Sequence, residues 1–330
     1  MSPKPGGSES FPPICTPAYG GLLRRRIFQP AILFVILSVI LGTAVLAIVP
    51  PLRAPDENAH FVRAYGLIQG DIIPRQTDQR GRKGILMPAR LHAEFSYFDA
   101  ARERAAQQSV DYRHVFSQFA ESPPRSGAGA VFTPYQGSEA YSPIAYIPYA
   151  LAAAIAEATG ASWLAMLYLM RFLGMLLTTA LVALAIARTP VLPWGFFAVA
   201  MLPSSLYGRS VVSADGPVLA SSLILIALCL RGAVGASSSA TQRSLWFALT
   251  AMTKPSQLSF VMMEAMTRPL RAGLRNWLSV AAVILPAVVL CLAWVLSTGG
   301  DIAAWRLYED PAAREQFEIG WKLKFMLAHP

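Results

Sequence analysis

The residues best suited to chemistry lie in 51–74, Pro-Leu-Arg-Ala-Pro-Asp-Glu-Asn-Ala-His-Phe-Val-Arg-Ala-Tyr-Gly-Leu-Ile-Gln-Gly-Asp-Ile-Ile-Pro. Pro55 disfavours helix in the residue before it, so a helix is expected to open at the adjacent carboxylates Asp56 and Glu57. Asp56, His60 and Arg63 then recur at spacings of four and three, which would put them on one helix face. A carboxylate there could act as a general base if a partly apolar setting raised its pKa. Two plainer readings stand beside this one. Asp56 caps the helix while Phe61, Tyr65 and Leu67 anchor it at a membrane surface, or Asp56 and His60 share a divalent metal ion, although no third ligand stands at a fixed spacing.

Four further charges interrupt or border apolar runs. Arg171 stands too deep in its run for a loop charge and needs a partner or a polar cavity; an ion pair to Glu57 or Asp215 and phosphate binding fit it equally. Asp215 either caps a helix opening at Gly216-Pro217 or contacts substrate. Lys254, beside Pro255 at an interrupted helix, suits an anionic head group or snorkels to the interface. Arg209 reads as a solvated loop cation that could also meet a phosphate.

These residues must be positioned by membrane helices. The chain has 330 residues, 54% hydrophobic and 14% charged, with mean hydropathy +0.43, which excludes a soluble or disordered protein. Net charge is +9 with arginines scattered between apolar runs, which points to cytoplasmic loops and anionic lipid and not to nucleic acid. Cys15, Cys229 and Cys291 lack metal-type spacing.

Residues 27–49 are uncharged and long enough to cross a bilayer core about 30 Å thick. Arg24, Arg25 and Arg26 precede them, which puts the tail 1–26 in the cytoplasm and 50–160 outside. Residues 140–156 hold Pro143 and Pro148 and are short for a span. Treating them as a juxtamembrane helix lets Arg188, Arg231, Arg243, Arg268, Arg271 and Arg275 face the cytoplasm and only Arg209 face out. The bundle 161–300 then contains uncharged stretches at 189–208 and 276–300, runs 163–187 and 210–230 broken by Arg171 and Asp215, and a re-entrant hairpin or two tilted short helices at 244–266 with Lys254 at the break. Residues 121–138 and 232–242 read as linkers, and 301–330 as an extracytoplasmic tail.

At the 51–74 stretch the sequence resembles the bacterial integral-membrane family known as domain of unknown function 2142, related to the GT-C superfamily of membrane glycosyltransferases. Tyr141-Ser142-Pro143 with Tyr146, Tyr168 to Arg171, Leu202-Pro203 through Ser213-Ala214-Asp215-Gly216, and Met252-Thr253-Lys254 fit the same comparison, in order. The resemblance implies an all-α polytopic membrane protein, a GT-C-like helical bundle whose large first extracytoplasmic loop carries juxtamembrane helices. It implies Asp56 as catalytic base, with Glu57 as its substitute if the register differs. GT-C enzymes usually carry more helices, so the tail 301–330 reads as truncated.

The expected function is transfer of a sugar from a polyprenyl-phosphate-linked donor to a glycan, lipid or protein acceptor at the bacterial inner membrane. Asp56 would take the acceptor proton, and His60, Arg63, Arg171, Arg209, Asp215 and Lys254 would contact substrate. No P-loop, Gly-x-Ser-x-Gly or His-Glu-x-x-His motif occurs. The alternatives are a non-catalytic lipid-binding protein or transporter, and a truncated inactive homologue. The sequence names no cofactor with certainty, and a divalent metal ion is the one candidate.

Overall fold

A computed structural model describes residues 20–104, 113, 117, 129–268 and 273–298. Cys15, most of the tail 1–26 and the tail 301–330 lie outside the described residues. Four described helices are long and apolar enough to cross a bilayer, with spans at Pro30–Ile48, Trp163–Arg188, Asp215–Ala233 and Leu274–Thr298. The protein is therefore an all-α polytopic membrane protein. Its helices are α1 (Gly20–Ile48), α2 (Glu57–Ile68), α3 (Ala89–Arg104), α4 (Ile147–Ala158), α5 (Trp163–Arg188), α6 (Pro193–Ala200), α7 (Pro203–Ser210), α8 (Asp215–Ala233), α9 (Ala240–Thr253), α10 (Val261–Ala265) and α11 (Leu274–Thr298).

The spans differ in enclosure. α8 is 61% buried over its apolar window and α5 50%, against 28% for α1 and α11, so α5 and α8 form the centre and the other two present Leu and Ile outward. α5 packs on α1, α4 and α8, and α9 packs on α8 and α11. Glycine permits the closest approach: a Cβ on Gly174 would meet the Tyr149 ring at 2.2 Å, which ties α4 to α5.

Between α1 and α5 the first loop folds onto one end of the bundle. Its strands β1 (Gly84–Pro88) and β2 (Ala130–Pro134) pair antiparallel, from Gly84 opposite Pro134 to Pro88 opposite Ala130. The stretch 121–138, read as a linker, thus contains a strand and the start of a 3-10 turn. The pairing partner 46 residues earlier supplies the order that local composition does not. α4 has 12 residues, about 18 Å long, too short to cross, and it turns Ile147, Leu151 and Ile155 outward. The Trp294 Nε1–H donates to the Ala140 carbonyl at 2.8 Å, the Ser142 hydroxyl to Met252 at 2.6 Å and the Lys83 ammonium to Thr298 at 3.0 Å, so the loop is fastened to α9 and α11.

The uncharged stretch 189–208 is not one helix. Pro203 has no N–H to continue the ladder, and the segment breaks at Met201 and Leu202 into α6 and α7. Arg209 bridges the break. Against the expectation of a solvated cation it is fully buried, donating to the Ala200 carbonyl at 2.9 Å and Thr179 Oγ1 at 3.0 Å and lying 5.0 Å over the Phe34 ring. The Ala200 carbonyl, at the last residue of α6, has no next turn to supply a donor, and the guanidinium supplies one.

In the stretch 244–266, Arg243 and Glu264 are ion-paired at 2.7 Å while Lys254 lies beside Asp215, so the 14-residue α9 runs along α8 toward Asp215 and a 3-10 turn with α10 returns. Pro255 forces the reversal.

Candidate functional site

The segment leaving α1 turns through two left-handed residues, Leu52 (φ 57°) and Asp56 (φ 54°). Such a backbone costs a non-glycine residue about 1–2 kcal/mol, and here buried Leu52 and the packed α2 hold it. The turn delivers the polar residues of α2 to different neighbours.

Glu57 is fully buried and accepts two bonds from Arg171, at 2.7 Å from Nε and 2.5 Å from Nη2, and one from the Val212 backbone N–H at 3.1 Å. Arg171 also donates to the carbonyls of Leu46 in the last turn of α1 and of Val49 and Pro50 just after it. Of the two readings open for Arg171, the ion pair is what the geometry contains; its five N–H directions are all taken, and Glu57 is fully buried behind it.

Asn58 donates to Asp99 at 2.9 Å and Gln136 at 2.8 Å. Arg63 is fully buried, donates to the carbonyls of Asp71 (2.7 Å) and Ile72 (2.8 Å) and lies over the Tyr135 ring. The face expected to hold Asp56, His60 and Arg63 together is therefore divided, because Arg63 turns to the loop after α2. His60 is nearly enclosed, with Nδ1 2.7 Å from the Tyr146 hydroxyl and Tyr141 packed edge-on at 5.6 Å. Burial pushes its pKa from 6.5 down to about 4, against the opposing pull of Asp56 and Asp215.

Asp56 differs from all of these. It is exposed at the N-cap position of α2, but its carboxylate makes no capping bond and has no hydrogen-bond partner among the described residues. The capping role is excluded by geometry, since the left-handed backbone turns the side chain from the helix amides. Asp215 is also freed from the capping role: it is the first residue of α8, 71% exposed, and its carboxylate lies 3.7 Å from the Lys254 ammonium, itself 39% exposed.

An open cleft of about 380 Å³ lies between Pro55 before α2, Pro203, Ser204 and Tyr207 of α7, and Ser213 and Asp215 at α8. The break that frees α7 from α6 thus makes one wall of the cleft. Of the exposed charges that act on His60 electrostatically, Asp56, Asp215 and Lys254, Asp215 lines the cleft. Among the described residues no three His, Cys, Asp or Glu side chains stand close enough to hold a metal ion, so the Asp56 and His60 pair lacks a third protein ligand. Tyr146, Tyr207 and Ser204 were not singled out as site residues from sequence. Each lies in or beside a stretch that carried the resemblance, Tyr146 after Tyr141-Ser142-Pro143 and Ser204 and Tyr207 between Leu202 and Gly216.

Helical spans folded around a loop-covered end define an integral membrane protein. The chain belongs to the family described as "predicted membrane protein (DUF2142)", which matches residues 39–330. No curated protein and no solved structure matches it.

Proposed function

We propose that this protein is a membrane glycosyltransferase of GT-C type that moves a sugar from a polyprenyl-phosphate-linked donor to a hydroxyl of a glycan, lipid or protein acceptor. The observation that carries the reading is Asp56: of the polar residues that open α2, it is the one whose side chain the fold leaves uncommitted, and it follows directly on Pro55, which lines the cleft. Transfer needs a base for the incoming hydroxyl and a cation for the departing phosphate. Asp56 supplies the first. Arg63, Arg171 and Arg209 are occupied within the fold, so the second falls to Lys254, which exchanges its exposed contact with Asp215 for the phosphate. Oxocarbenium character at the sugar carbon would be favoured by the nearby carboxylates.

In this reading the first loop faces the outside of a bacterial plasma membrane and the N-terminus the cytoplasm. Buried Arg209 and Arg243 both drop out of the short-loop count, which leaves the excess of arginine at the opposite end in place. Asp56→Asn is expected to lower transfer from a polyprenyl-phosphate-linked sugar by at least about 100-fold, within the range for general-base loss, with unchanged thermal unfolding. An Asn variant with full transfer removes the role.

One observation favours a second reading, lipid transport. The break between α6 and α7 adds to the one at Lys254, and paired broken helices occur at transport sites. Substrate-driven flux in vesicles without release of polyprenyl phosphate would select it.

A further inference from the structure

His60 has a defined chemistry that the transfer reading does not yet use. The Tyr146 hydroxyl is buried and has His60 Nδ1 as its one hydrogen-bond partner among the described residues. A hydroxyl in that position either donates to the ring or accepts from it. If the ring donated, the Tyr146 proton would face no acceptor, at a cost of about 1–3 kcal/mol; with Tyr146 as donor both groups are satisfied. Nδ1 is then the acceptor, and the neutral ring carries its proton on Nε2.

Nε2 has no partner among the described residues, yet it is not one of the enclosed unpaired atoms, as Trp163 Nε1 and Arg63 Nε are. The residue as a whole keeps 8% of its surface exposed. The groups around the ring are Tyr141 and Tyr146, the buried Glu57 already paired to Arg171, and the exposed Asp56, Asp215 and Lys254. With Lys254 set against Asp215, Asp56 leaves the local charge negative, a setting for a hydroxyl more than for a second anion. Burial keeps the imidazole neutral at pH 7, so it offers a donor without positive charge.

We propose that His60, fixed in the Nε2–H tautomer by Tyr146, donates a hydrogen bond to the oxygen of the acceptor alcohol whose proton Asp56 removes. This rests on the transfer reading for the part played by Asp56. The acceptor O–H proton passes to the Asp56 carboxylate, the oxygen lone pair forms the bond to the sugar carbon, and the phosphate departs with the electrons of the bond it loses. The His60 proton stays on Nε2 throughout; its bond fixes which lone pair faces the sugar. Tyr146 is a positioning residue, acting through the ring.

The chain has four histidines, so ring-15N-histidine NMR of the full chain in detergent can assign His60 by its loss in His60→Gln. The expected spectrum is a neutral Nε2–H ring from pH 5.5 to 8, whose Nε2 signal moves on titration with methyl hexopyranosides and moves less in Asp56→Asn. A Nδ1–H ring, a charged ring at pH 7, or a signal unmoved by the sugars overturns the proposal. In the transfer assay Tyr146→Phe should raise the acceptor KM several-fold with the donor KM unchanged, and His60→Gln, which retains an N–H near Nε2, should keep more activity than His60→Ala. Equal shifts in both KM values, or none, also overturn it. A correct tautomer and sugar response without any transfer would instead refute the glycosyltransferase reading and leave the hydroxyl site standing.

Discussion

Each end of the bundle contains a buried arginine–glutamate pair, and the surroundings of the two pairs differ. At the end away from the first loop, Arg243 holds Glu264 through bonds of 2.7 and 2.9 Å, while Ser238 and Thr267 satisfy the remaining directions. This pair closes the return of α10 onto α9. At the first-loop end, Arg171 holds Glu57 with similar geometry, but exposed Asp56, Asp215 and Lys254 stand beside the same helix starts. A buried pair of this kind fixes the positions of segments; the charges left over at one end are what a ligand can meet. Glu57 thus holds segments together, while Asp56 beside it stays free to meet a ligand.

Removing an arginine from either pair leaves a buried carboxylate without its partner, a loss of about 3–5 kcal/mol. Arg171→Ala is expected to destabilise more than Arg243→Ala, because three carbonyls at and just past the end of α1 lose their donor as well. Thermal unfolding in detergent checks this, and equal midpoints for the two variants would refute the added capping role. A smaller effect, about 1–3 kcal/mol, is expected for Gly174→Ala, where the new Cβ collides with the stiff ring of Tyr149. Tyr149 donates to the Ser213 carbonyl at 2.8 Å, so displacement should reach the start of α8 and lower transfer beyond the loss of folded protein. Unchanged activity per folded molecule would show that Ser213 and Asp215 are held by other contacts.

Much of this architecture was legible from sequence because the bilayer demands long uncharged runs, and 163–187 and 276–300 match α5 and α11 closely. The pairing of Arg171 with Glu57 was open to inference too, since a charge eight residues into a span has few affordable partners. What was not legible depended on long-range contacts or on local backbone hand. Strand β2 exists through its pairing with β1, and Arg209 is buried because it crosses the break that Pro203 makes. At Asp56 the residue type and position spelled a helix cap, and a positive φ overruled them. The spacing of Asp56, His60 and Arg63 described a shared face, which neighbouring loops then divided.

The pH dependence of stability sharpens the same contrast. His60 is held neutral, with its pKa moved from 6.5 to about 4 by burial, so between these values the unfolded chain takes up a proton that the folded chain refuses. Stability should therefore fall as pH drops through that window, by about 1 kcal/mol from pH 6.5 to 5.5. His60→Gln should flatten this slope in thermal melts, whereas Arg243→Ala should leave it in place. A slope that survives the histidine change would assign the effect to another group.

The smallest effect on stability is expected at Lys254, and there the two ends separate most clearly. Its contact with Asp215 spans 3.7 Å between exposed groups, and solvent screening limits such a pair to about 0–1 kcal/mol. Lys254→Gln should melt within about 1 kcal/mol of the parent chain, in contrast to the loss from either buried arginine. A weak pair is also readily exchanged: a phosphate arriving at the cleft has only to displace an exposed carboxylate. Transfer from a polyprenyl-phosphate-linked donor should thus fall at least about 10-fold in Lys254→Gln through a raised donor KM, while Asp215→Asn, which releases the lysine, should lower that KM. A lysine variant that is destabilised like Arg243→Ala and still binds donor normally would reverse the assignment, making Lys254 a structural partner and leaving the departing phosphate without its cation.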